Sequence, residues 1–163
     1  MSAVDPRYCH GVFRAGVRIA VDVGTVRVGV AASDPTGSLA SPVTVVRRDR
    51  RGATDLAALV ALVAERDAVE VVVGLPRTLR GTDSASTVDA RTYATALAGR
   101  IAPVPVRLVD ERLTTVTATR QVRATGRTTR EARGMVDAAA ATVILEAALD
   151  EERRTGLPPG VPA

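Results

Sequence analysis

The stretch from Val17 to Ser33, VRIAVDVGTVRVGVAAS, reads as two Val-rich strands, Val17 to Val23 and Val28 to Ser33, joined through a turn at Gly24-Thr25. Strand alternation puts Ile19, Val21 and Val23 on one face and Ala20, Asp22 and Gly24 on the other. An acid at position 22 therefore interrupts a strand that otherwise looks like core. Such a carboxylate disfavours the strand and is costly to bury unless a cation or a set of donors pairs with it.

Outward from this hairpin the pattern continues in order. Pro42 to Val46 supplies a third strand, completing an antiparallel meander. Leu56, Leu59, Val60 and Val63 follow helical spacing after Thr54 as a cap. Val69 to Leu75 is an almost continuous apolar run ending at Pro76, the pattern of a central strand covered on both faces. A helix over Ser86 to Arg100, a strand over Val104 to Val109 and a helix from about Thr115 to Ala124, stopping at Gly126, come next. A capping box of Thr128 with Glu131 then opens a last helix running to about Arg153. Three antiparallel strands followed by βαβ connections describe one α/β domain, a mixed five-stranded sheet flanked by helices. The expected boundaries are a loose tail over 1–16, the domain over 17–154 and a second loose tail over 155–163, the last rich in Pro and Gly.

Composition narrows the chemistry. All 22 basic residues are Arg and none is Lys, which excludes lysine Schiff bases and P-loop lysines, while the single Cys9 and single His10 remove most structural zinc sites, Ser-His-Asp hydrolases and Cys-His proteases. Any metal must be held by carboxylate oxygens, which favours Mg²⁺ or Mn²⁺. The longest apolar run, Leu56 to Ala64, is too short to cross a membrane, so the protein is read as cytoplasmic. A net charge of +4 with a pI near 10.4 suits a polyanionic partner.

Two further acids join Asp22. In the last helix Asp137 shares its face with Ala140, Ala141, Ile144 and Ala148, whereas Thr142, Glu146 and Asp150 lie opposite. After the fifth strand stands Asp110-Glu111, and alternation alone does not choose between the two. Such acids, distant in sequence, can meet at one sheet edge, where two divalent cations roughly 4 Å apart would offset their repulsion and activate water for attack on a phosphate. Phosphate-binding candidates are Arg112, Arg120, Arg123, Arg127, Arg130 and Arg133, with Arg77 and Arg80 in the loop after Pro76. The three aromatics, Tyr8, Phe13 and Tyr93, are too few for a base-stacking platform.

Four motifs in this order carry a resemblance: Asp22-Val-Gly-Thr-Val-Arg-Val-Gly29, Gly74-Leu-Pro76 with Gly81-Thr82, Asp110-Glu-Arg-Leu-Thr-Thr115 and Val136-Asp-Ala-Ala-Ala-Ala141. Over about Arg18 to Leu149 the sequence resembles the bacterial YqgF family, pre-16S rRNA nucleases also described as Holliday junction resolvases, with an RNase H-like fold. The resemblance implies Asp22, Glu111 and Asp137 as catalytic and metal-holding residues, settling the choice at 110 and 111. It implies a hydrolase acting on ester bonds with two Mg²⁺ or Mn²⁺ ions. It also implies pre-rRNA, cut at the 5′ end of pre-16S rRNA, in preference to branched DNA, with the pre-ribosomal particle as a candidate partner. No heptad seam announces a dimer, so a monomer or weak dimer is expected. Two positions depart from the family: Arg133 stands where Lys is common, and Thr78 with Arg80 replaces an Asn and an acid.

Other classes weigh less. Asp22-Val-Gly-Thr25 is also similar to the phosphate loop of sugar kinases, actin and heat-shock ATPases, but those clamp ATP between two such domains and this chain supplies one. A nonenzymatic RNA-binding assembly factor would not need all three acids.

Overall fold

The computed structural model describes residues 13–78, 80–113 and 130–163. The elements in chain order are β1 (Arg18–Val23), β2 (Arg27–Ser33), β3 (Ala40–Arg47), α1 (Thr54–Glu65), β4 (Glu70–Leu75), α2 (Ala85–Ile101), β5 (Val106–Asp110), a 3-10 turn (Glu111–Leu113), α3 (Arg130–Thr155) and β6 (Val161–Pro162). They form one sheet in the order β3-β2-β1-β4-β5-β6, with β1, β2 and β3 antiparallel and β4 and β5 parallel to β1. The meander and both parallel additions match the sequence reading. The helix expected from Thr115 to Ala124, its stop at Gly126 and the capping box of Thr128 with Glu131 rest on residues outside those described.

Strand alternation sorts the core into two layers. Ile19, Val21, Val28, Val30, Val71 and Val73 face α1 and α2, where Leu59, Tyr93 and Leu97 cover them. Ala20, Ala31, Val72 and Val109 face α3 and pack on Ala141, Ile144, Leu145, Ala148 and Leu149. The second layer is built mostly from small side chains, so α3 lies close to the sheet. Position 42 on β3 tolerates Pro because β3 is the sheet edge and needs only one set of hydrogen bonds.

Three expectations change. The start of α1 is not capped by Thr54: Ala53 takes the left-handed conformation, and the Asp49 carboxylate accepts from the backbone of Gly52 at 2.8 Å and from the Thr54 hydroxyl at 2.8 Å. The sheet has six strands rather than five, because the end of the chain read as a loose tail pairs with β5 at Leu108 and Arg107. The Arg107 guanidinium donates to the carbonyls of Pro159 and Gly160, so the Pro-rich composition hid acceptors that fix the segment. Residues 13–16 of the expected N-terminal tail are also held, with the Gly16 N–H donating to Pro35 and Phe13 stacked under Arg18; residues 1–12 lie outside the described set.

What holds them is an ion network at the end of the sheet where β1 and β4 begin. Arg18 and Glu70 are opposite each other in the parallel register, and both are buried together with Glu152 of α3. The Arg14 guanidinium bridges the two carboxylates, donating to Glu152 at 2.7 Å and Glu70 at 3.1 Å, and Arg18 donates to Glu152 at 3.1 Å. Removing one partner strands the other charges in a low-dielectric interior. Glu152→Ala is therefore expected to lower stability by about 3–5 kcal/mol, read from the urea midpoint; a loss below about 1 kcal/mol would mean that the network is solvated.

Candidate active site

At the opposite end of β1 the α3 face of the sheet carries Asp22, half-buried. Its neighbours across the sheet are both glycines. Gly29 of β2 pairs with Asp22 directly, and Gly74 of β4 follows Val73, the partner of Val21. Each missing side chain admits something. A Cβ on Gly29 would sit 2.0 Å from the carbonyl oxygen of Asp137, so the backbone of α3 rests on that glycine. A Cβ on Gly74 would sit 2.6 Å from Glu111 Oε1 and 2.5 Å from Ile144 Cδ1, so the Glu111 carboxylate lies over that glycine. Asp22 is thus flanked by Asp137 on one side and Glu111 on the other.

The local fold explains why Glu111, and not Asp110, takes this place. Val109 packs in the α3-facing layer, and Glu111, two residues on, keeps that parity through the start of the 3-10 turn. Asp110 is engaged elsewhere: Arg112 donates to it at 2.6 Å through its guanidinium and at 2.9 Å through its backbone. Those hydrogen bonds hold Asp110 below the usual carboxylate range. The other two acids move the other way. Burial, with the Asp137 charge behind it, pushes the Asp22 carboxyl up to about 6. Burial, followed by the charges of Asp22 and Asp110, pushes Glu111 up to about 7. Like charge thus runs from Asp137 through Asp22 to Glu111, with Asp22 in the middle. Among the described residues no group of three or more His, Cys, Asp or Glu side chains is gathered closely enough to hold one metal ion.

Asp137 has a partner that sequence reasoning missed. Arg27 of β2 donates from Nε to Asp137 Oδ2 at 2.7 Å. It lies inside the first motif and, two residues before Gly29, on the same face; that parity was the signal available. Of the phosphate-binding candidates, Arg77 and Arg112 both act on Asp110, and the Arg112 guanidinium reaches the turn at Gly81 beside exposed Arg80. Arg120, Arg123 and Arg127, and the side chains of Arg130 and Arg133, lie outside the described set.

Two outcomes follow from this packing. Gly29→Ala should cost about 1–3 kcal/mol by forcing α3 off the sheet, whereas Gly99→Ala, where a Cβ meets nothing, should stabilise by about 0.5–1 kcal/mol; urea denaturation of both variants compares them. The second concerns pH. A carboxyl whose folded pKa lies above its unfolded value of 3.8 disfavours folding once ionised, a cost absent below the unfolded pKa and complete above the folded one. In chelator, Asp22→Asn should then raise Tm at pH 8 and leave it nearly unchanged below about pH 4. Equal effects at both pH values would remove the repulsion argument.

Comparison with known proteins finds sequence relatives of this chain and a likeness in fold. The sequence model of the RuvX family, described as Holliday junction resolvase, matches residues 16–151. A Frankia casuarinae protein provisionally named a pre-16S rRNA nuclease is 58% identical over 142 residues, covering 87% of this chain and 70% of its own. A Thermobifida fusca protein of the same name is 55% identical over 155 residues, 90% of this chain and 95% of its own. Among solved structures, T. thermophilus RuvC in complex with Holliday junction substrate superposes with a TM-score of 0.60 at 16% identity, covering 91% of this chain and 99% of that one. At that identity the likeness is one of fold, and the fold is RNase H-like.

Proposed function

The chain belongs to the RuvX family, and from that premise we propose that it is a nuclease hydrolysing phosphodiesters at Asp22, Glu111 and Asp137, with pre-16S rRNA as its substrate. The observation that carries the proposal is the run of like charge at the end of β1, an interior strand, built around an aspartate whose two strand neighbours are glycines. A fold does not assemble mutually repelling acids there for stability, since each raises the ionisation cost of the next.

The donor set fits hard divalent cations. It consists of carboxylate oxygens, and the chain's single histidine and single cysteine leave no alternative nitrogen and sulfur cage. Asp22 would be shared between two Mg²⁺ or Mn²⁺ ions, with Glu111 adding a carboxylate on the β4 side and Asp137 on the β2 side. Such ions, when bound, lower the pKa of water and offset charge on the leaving oxygen. The protein's own part is positional. Arg27 fixes Asp137 through Oδ2, the two glycines admit the helix backbone and the Glu111 carboxylate beside Asp22, and the Glu111 carboxyl, pushed up to about 7, can hold a proton near neutral pH. Arg77, Arg80 and Arg112 lie on the Glu111 side, where they can meet backbone phosphates.

RNA is preferred over four-way DNA junctions as substrate because the relatives above carry the rRNA name over most of their length, and the pre-ribosomal particle in the cytoplasm is where such a cut is needed. The family description and the RuvC likeness favour the second reading, a junction resolvase. Among the described residues no helix is long and apolar enough to cross a membrane.

With Mn²⁺ or Mg²⁺, the purified protein should cleave precursor rRNA, and Asp22→Asn or added chelator should reduce cleavage to background while RNA binding survives. Depletion in the host should leave extended 16S 5′ ends. Normal ends, with paired symmetric cuts in a four-way DNA junction, would transfer the assignment to the resolvase.

A further inference from the structure

On the far side of Asp137 from Asp22, the paired ends of β2 and β3 place two cations face to face. Arg27 and Arg47 are direct cross-strand partners, so both side chains project from the α3 face of the sheet. Like charges directly opposite on a sheet repel and destabilise the pair. They border an open groove of about 430 Å³ lined by Val26, Arg27, Val45, Arg47 and Gly134. Gly134 adds no side chain to the groove, where among the described residues a Cβ would meet Val45 Cγ2 at 3.9 Å.

Protection of an edge strand accounts for a charge at Arg47. The Asp137 ion pair accounts for one side of the half-buried Arg27, but neither reason accounts for a glycine at position 134 of a helix, where alanine would be more stable. Arg27 is held to Asp137 by Nε alone, which leaves its terminal nitrogens without a hydrogen bond among the described residues. Arg47 has neither a hydrogen bond nor an ion pair among those residues.

We propose that this groove binds a backbone phosphate of the nucleic-acid strand, with the Arg27 and Arg47 guanidinium groups as its donors and Val26 and Val45 as the floor under the adjoining sugar. The proposal rests on the nuclease reading, to which it adds a second anchoring point. Arg27 is two residues along the strand from Gly29, about 7 Å from the partner of Asp22, a separation comparable with that of consecutive phosphates in a single strand. The strand would then run from Arg77 and Arg112 on the Glu111 side, across Asp22, to Arg27 and Arg47 on the Asp137 side. Each donor can make a charge-assisted bond to a phosphate oxygen, and the bound anion removes the repulsion between them.

Fluorescence anisotropy of a short labelled RNA in chelator, over a series of salt concentrations, tests this without cleavage. Arg47→Gln should weaken binding several-fold at low salt and reduce the slope of log K against log salt by about 0.7. Arg47→Lys, which keeps the charge, should retain the slope. Arg66→Gln, at the exposed end of α1, should bind as the unaltered protein does. Because the Arg47 side chain makes no hydrogen bond or ion pair among the described residues and faces Arg27 across the strands, Arg47→Gln should keep or raise Tm. An unchanged slope and affinity for Arg47→Gln, or an equal loss for Arg66→Gln, would overturn the groove and leave the nuclease reading intact. Failure of the unaltered protein to bind RNA at all would remove both.

Discussion

The absence of a Cβ at position 29 is the constraint on which the candidate site depends. The carbonyl of Asp137 occupies the volume that any other residue would fill, and this sets how near α3 comes to the sheet, which turn of the helix stands beside Asp22 and where Arg27 can reach. Gly74 does the same for the opposite flank, with a side-chain carboxylate in place of a helix backbone. Small residues then continue the approach along the helix, through Ala141 and Ala148 on Ala20 and Ala31. A core so poor in aromatic mass gains less from burial per residue, but it permits a layer spacing that larger side chains would prevent.

The two ends of β1 treat charge in opposite ways. At its beginning, Arg14 and Arg18 meet Glu70 and Glu152, two guanidinium groups and two carboxylates, each with hydrogen-bonded partners. At its end, Asp22, Glu111 and Asp137 stand together, and Arg27 donates to Asp137. The neutralised cluster is a fastening, and it draws residues 13–16 and the C-terminal half of α3 into the folded unit. In the second cluster like charges stand side by side and, with burial, raise the Asp22 and Glu111 carboxyls above their ordinary values, as is common at functional sites.

Much of this was legible in the order of residues. The strands, the two principal helices and the face of α3 follow from periods of two and 3.6, and Asp22 and Asp137 stand out because each breaks an apolar pattern that is otherwise kept. The choice between Asp110 and Glu111 was not legible from alternation, because it turns on where the strand ends and on Arg112 folding back over its own neighbour. Arg27 was overlooked because an arginine at a strand end next to a turn looks like surface until the helix that packs over it is known. Strand β6 was hidden for a related reason: Pro and Gly signal irregular chain, and only the Arg107 guanidinium beneath them reveals a pairing edge.

Because α3 docks on Gly29 through the main chain at position 137, its placement does not depend on which side chain that residue carries. Architecture and chemistry are separable there. A lineage that exchanged the aspartate for an amide would retain the packing of the helix and the arginines on either flank. On the roles proposed for Asp137 and the flanking arginines, the product would be a folded binder without cleavage, one codon away from the enzyme.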